Sequence, residues 1–144
     1  MTHRHHFLAL GMLIGIFLLW GVNAVAMHYS LYVIIPWFDM PMHFFGGAWT
    51  GMAAIFFVYT YIVPRYSALS IKRRIAVTLS IVLIVGLGWE LFEFVLGRMT
   101  YINFGDITDT VTDLFLDVLG ASCVIALLYP FFFHSSGRPK QELM

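Results

Sequence analysis

Four apolar runs, at residues 7–27, 41–63, 75–96 and 111–133, fill most of a chain of 144 residues. Each is close to the roughly 20 residues a helix needs to cross a bilayer, and none alternates like the ten-residue strands of a membrane barrel. In lipid the backbone must satisfy its own hydrogen bonds, so helices follow. The predicted fold is all-α, one domain over residues 1–144 with four transmembrane helices in a small bundle. Only 11% of residues are charged, 60% are hydrophobic and the mean hydropathy is +0.85; soluble domains carry about 25% charge. That balance excludes a water-soluble enzyme and a disordered tail. The single cysteine, Cys123, excludes a disulfide-stapled module, and a formal net charge of zero argues against a nucleic-acid partner.

The first run also has features of a signal peptide: Arg4 among three histidines, an apolar core from Phe7 to Trp20, and the small-residue site Ala24-Val25-Ala26. An uncleaved first helix is the expectation. Basic residues set the orientation. Arg4, Arg65, Lys72, Arg73, Arg74, Arg138 and Lys140 fall on one side of a four-span topology, leaving Arg98 alone on the other. Both termini are therefore expected in the cytoplasm, in a bacterial inner membrane. Tyr29, Tyr32, Trp37 and Tyr101 would form an outer aromatic belt, and Tyr59, Tyr61, Tyr66 and Tyr129 an inner one. Gly11 with Gly15, and Gly47 with Gly51, have the spacing that brings membrane helices close, so either pair is a candidate contact for a homo-oligomer or a larger complex.

The acids carry the functional information. Of eight Asp and Glu residues, only Glu142 maps to the cytoplasmic side. Asp39, Glu90, Glu93, Asp106, Asp109, Asp113 and Asp117 all map to the outward half, an asymmetry the orientation rule does not require. Their spacing is helical: Asp39 and His43 are four apart, Glu90 and Glu93 three, and Asp109, Asp113 and Asp117 repeat every four. Asp106 reads as a helix cap, and Glu93 has Arg98 within reach as a partner. No capping role accounts for Glu90, Asp113 or Asp117, which lie inside their helices. A carboxylate at that depth costs on the order of 2.5–3.5 kcal/mol to insert, so these groups should turn inward and meet one another beside His43.

Six converging carboxylates cannot all stay ionised in a partly dry pocket. Protons or a bound cation must neutralise them. Oxygen donors with one imidazole suit a divalent metal, with Mg, Mn or Ca favoured and Zn or Fe also compatible. The candidate metal ligands are Asp39, His43, Glu90, Glu93, Asp109, Asp113 and Asp117. His43 and Glu93 are the candidate catalytic acid or base. His3, His5 and His6 lie on the other side and read as a weakly basic tail, while Cys123 reads as a small core residue.

The stretches Phe38-Asp39-Met40-Pro41-Met42-His43-Phe44, Gly88-Trp89-Glu90-Leu91-Phe92-Glu93, and Asp109-Thr110-Val111-Thr112-Asp113 with Asp117 and Gly120-Ala121 resemble the YjdF-like family of small bacterial inner-membrane proteins. The same order of residues is more distantly similar to the VanZ-like family. The resemblance covers about residues 36–125 and implies a helical membrane fold with these polar residues as its shared site. Three functions fit: a metal-assisted hydrolase or transferase acting on lipid-linked or head-group substrates at the bilayer, an accessory subunit with a buried ion site, and proton-coupled cation transport.

Overall fold

A computed structural model describes residues 3–61, 69–100 and 107–132, all of them helical or in short connections. Five helices follow in order: α1 (His3–His28), α2 (Leu31–Ile34), α3 (Asp39–Tyr61), α4 (Ile71–Thr100) and α5 (Ile107–Phe132). The four long helices match the four apolar runs, and each begins two to four residues before its run. Polar residues account for the early starts. Asp39 lies in the first turn of α3, where an acid suits the helix dipole, and Pro41 in that turn removes no helical hydrogen bond. His3, His5 and His6 are part of α1 rather than a tail ahead of it.

The expectation of four spans is corrected to three. Among the described residues, the segments long and apolar enough to cross a membrane are Leu8–His28 in α1, Ile71–Leu96 in α4 and Ile107–Leu128 in α5. The exception is α3, because Asp39, Pro41, His43, Gly46, Gly47, Thr50 and Gly51 dilute its apolar surface. Of these, Asp39 and His43 face each other inside the bundle, and Gly47 and Gly51 lie against α5.

Helix α3 is the hub. It packs against α1, α4 and, most extensively, α5, while α5 also meets α4. The α3–α5 seam is unusually tight. A Cβ at Gly47 would collide with the backbone of Asp117, one at Gly120 with the Phe44 carbonyl, and one at Gly51 would lie 2.9 Å from the Ala121 Cβ. In lipid, close backbone approach of this kind supplies association that the hydrophobic effect does not. Gly47 and Gly51 are thus used within the chain and are not a surface for a second copy. Gly15 meets the Trp49 ring, whose Nε1 donates to the Met12 carbonyl at 2.8 Å and docks α1. Gly11 has open space around it.

The bundle has two zones. At one end Leu8, Ile55, Val58 and Ile125 form the buried apolar cluster; the fully buried Thr78 returns its hydroxyl to the Arg74 carbonyl in its own helix. At the other end the interior is polar. The outside is apolar: Phe17, Trp20, Ile84 and Leu127 are among many large side chains more than 60% exposed, a surface suited to acyl chains and not to water. Cys123 is on that exposed surface rather than in the core. Tyr29, Trp37 and Tyr61 are exposed as belt residues should be. Tyr32 instead turns inward and donates to the Asn23 side chain at 2.7 Å, which gives the one strongly polar side chain of the first apolar run its partner. Arg65, Tyr66, Tyr101, Asp106, Arg138, Lys140 and Glu142 lie outside the described residues, as do the side chains of Tyr59, Arg98 and Tyr129.

Candidate functional site

Three helices bring acids to one imidazole. His43, one turn into α3, has a side chain only 5% exposed. Its Nε2 faces Asp39 Oδ2 at 3.7 Å, Glu90 Oε1 at 3.8 Å and Asp113 Oδ2 at 3.9 Å. Its Nδ1 faces Asp117 Oδ1 at 3.6 Å. Asp113 and Asp117 are 3% and 6% exposed, about 9 and 15 Å along α5 from its first residue at 1.5 Å per residue. Glu90 lies about 15 Å back from the end of α4, so it reaches a similar depth from the facing helix.

These separations are too long for hydrogen bonds, which run about 2.7–3.2 Å. Within the site, His43 Nε2 and Glu90 Oε1 are buried with no hydrogen-bond partner. The second carboxylate oxygen of Glu90 is satisfied, since Thr110 Oγ1 donates to Oε2 at 2.7 Å. One glutamate oxygen is thereby anchored and the other left aimed at the histidine. Asp39, His43 and Asp113 have donor atoms within 4.8 Å of one another, and so do His43, Glu90 and Glu93. Donors about 2.1 Å from a shared cation lie roughly 3.0–3.4 Å apart when adjacent and about 4.2 Å when opposite. The imidazole-to-carboxylate distances of 3.7–3.9 Å at Nε2 fall between those limits and each donor group spans at most 4.8 Å, so the residues present fit a divalent ion once the carboxylates draw inward.

A family model described as "Predicted membrane protein (DUF2238)" matches residues 1–134. The chain belongs to that family. No curated protein and no solved structure matches it. The match covers every helix described and all the residues of the site. Membrane residence sharpens the electrostatics, because four carboxylates within 4 Å of one imidazole carry more negative charge than it can offset.

Two residues stand differently from the expectation. Asp109 is exposed and belongs to neither donor group. A step of four residues overshoots a full helical turn by about 40°, so an Asp109–Asp113–Asp117 stripe rotates by about 80° and its first member leaves the seam. Thr110 takes that place on the face of Asp113 and Asp117, at spacings of three and seven, a signal present in the sequence but unmarked by charge. Tyr32, read as a belt residue, borders the site as well. Burial, and then the negative charges of Asp39 and Glu93, push its phenol up to about 12, so it remains a neutral hydrogen-bond donor.

Proposed function

We propose that this end of the bundle binds one divalent cation through His43 Nε2, Asp39, Glu90 and Asp113, and that the protein is a metal-assisted hydrolase or transferase acting on a phosphate-bearing lipid head group. The observation that carries the reading is the unpartnered, buried Nε2 of His43 with three carboxylates around it. Oxygen donors with one imidazole suit Mg, Mn or Ca best and remain compatible with Zn or Fe. Such a cation supplies Lewis-acid polarisation of a phosphoryl oxygen when bound.

Glu93 is the acid–base group. It is half-buried, one turn beyond Glu90, and within reach of the histidine group without being wholly enclosed by it. Asp39 is the most open of the four ligands, with a side chain 28% exposed, and marks the side from which a substrate approaches. A groove of about 470 Å³ supports a lipid substrate. Phe17, Leu18, Gly21, Val22, Val25, Leu31 and Phe38 line it, and Phe38 directly precedes Asp39. An acyl chain in the groove would leave its head group beside the carboxylates.

The resemblance to the YjdF-like and, more distantly, VanZ-like families supports the same site, because the resembling stretches are those that meet there. Exposed Lys72 and Arg73 begin α4 about 27 Å along the axis from Glu90, close to the thickness of a hydrocarbon core. The preference of basic residues for the cytoplasm supports an outward-facing site in a bacterial inner membrane.

The test uses the full chain in vesicles of mixed phospholipids with Mn²⁺, with released head groups measured by mass spectrometry. Glu93→Gln is expected to lower turnover by about 10²- to 10⁴-fold while Mn²⁺ binding persists. Absence of turnover in the wild type across phosphatidyl head groups and polyprenyl phosphates would overturn the enzymatic reading.

A further inference from the structure

His43 presents two different faces to its surroundings. Asp39, Glu90 and Asp113 surround Nε2, whereas Asp117 is the carboxylate that faces Nδ1. Asp117 is absent from both groups of donors able to share an ion. Its position is imposed by the backbone: the Asp117 main chain lies against Gly47, one turn beyond His43, and its Oδ2 lies against Gly86 of α4. A side chain so wedged has little freedom to swing round the ring to Nε2. An imidazole that gives one nitrogen to a metal carries its proton on the other, and a carboxylate there fixes the tautomer, aims the ring and raises its basicity.

We propose that Asp117 is a positioning residue and not a ligand: it accepts the Nδ1–H of His43 and thereby holds the Nε2 lone pair toward the cation. This rests on the cation reading above. It divides the aspartates of α5 into two roles, with Asp113 in contact with the ion and Asp117 acting only through His43. Gly47 and Gly86 are what give it room. In the metal-loaded state the 3.6 Å gap between Nδ1 and Asp117 closes to hydrogen-bond length.

Two measurements on the full chain in detergent micelles test the assignment. Mn²⁺ affinity, followed by electron paramagnetic resonance, should fall about 10- to 100-fold in Asp117→Asn and be lost in Asp113→Asn. Pulsed resonance with Cu²⁺ as the probe reads the ring nitrogen that is not bound to the ion. Its quadrupole coupling should change in Asp117→Asn while the count of one coordinated imidazole stays the same. A merely structural role would leave that coupling unmoved. Loss of Mn²⁺ in Asp117→Asn as complete as in Asp113→Asn, or an unchanged remote-nitrogen signal, overturns the positioning role and leaves the cation site standing. Failure of the wild type to bind either ion overturns the cation reading, and this assignment with it.

Discussion

Replacing Asp113 with asparagine is expected to weaken divalent-cation binding by more than about 100-fold while the helices remain inserted. Loss of a group that only supports a ligand costs about 10- to 100-fold, and removing a charged donor exceeds that range. Asp113 is 3% exposed and its Oδ2 lies 3.9 Å from the unpartnered Nε2 of His43. Insertion does not suffer, because the substitution removes a carboxylate whose burial costs on the order of 2.5–3.5 kcal/mol. Glu90→Gln should behave in the same way, since its Oε1 is the other unpartnered atom of the site. Asp109→Asn is the matched control on the same helix. It is exposed and outside both donor groups, and should change affinity less than about threefold. Elemental mass spectrometry of the purified variants, after dialysis without chelator, reads all three. Equal metal content in Asp113→Asn, Glu90→Gln and the wild type would contradict the converging site.

The second large effect concerns the seam that assembles the site. Gly120→Ala and Gly47→Ala each direct a methyl group into the backbone of the opposite helix, at the Phe44 carbonyl and at Asp117 respectively. A backbone cannot rotate away as a side chain can, so the cost should reach the upper end of the roughly 1–3 kcal/mol typical of overpacking. Thermal unfolding in detergent should show a clear loss of stability for both. Gly46→Ala and Gly88→Ala have open space around the added methyl and should be neutral, or stabilising by up to about 1 kcal/mol from helix propensity. The two disruptive variants should also lose the cation, because His43 is one turn from Gly47 and Asp117 is three residues from Gly120. A seam variant that kept its stability would show that α3 and α5 are not in backbone contact.

Helix positions were largely legible in the sequence, since long apolar runs leave few alternatives in lipid. The number of crossings was not. In α3 the same glycines and polar residues that join the bundle also lower its apolarity, and sequence alone does not say which demand a residue answers. Gly47 and Gly51 illustrate the limit: their spacing announces close contact, yet nothing in it identifies α5 of the same chain as the partner. For the site, helical spacing pointed to the carboxylates that lie around His43 in the structure, because a charge deep in a membrane helix must turn toward the interior of the bundle. It carried Asp109 along with them, since a repeat of four drifts around the helix. The pairings of Thr110 with Glu90 and of Tyr32 with Asn23 were not legible, because neutral hydroxyl and amide groups stand out only once their partners are known.

The central claim is that His43 Nε2 and the surrounding carboxylates hold one divalent cation. Pulsed electron paramagnetic resonance on Mn²⁺ added to the full chain in micelles addresses it most directly, by counting nitrogen couplings at the ion. The expected result is a single bound Mn²⁺ coupled to one nitrogen, with that coupling absent in His43→Gln. A bound ion without nitrogen coupling, or no bound ion, would contradict the claim.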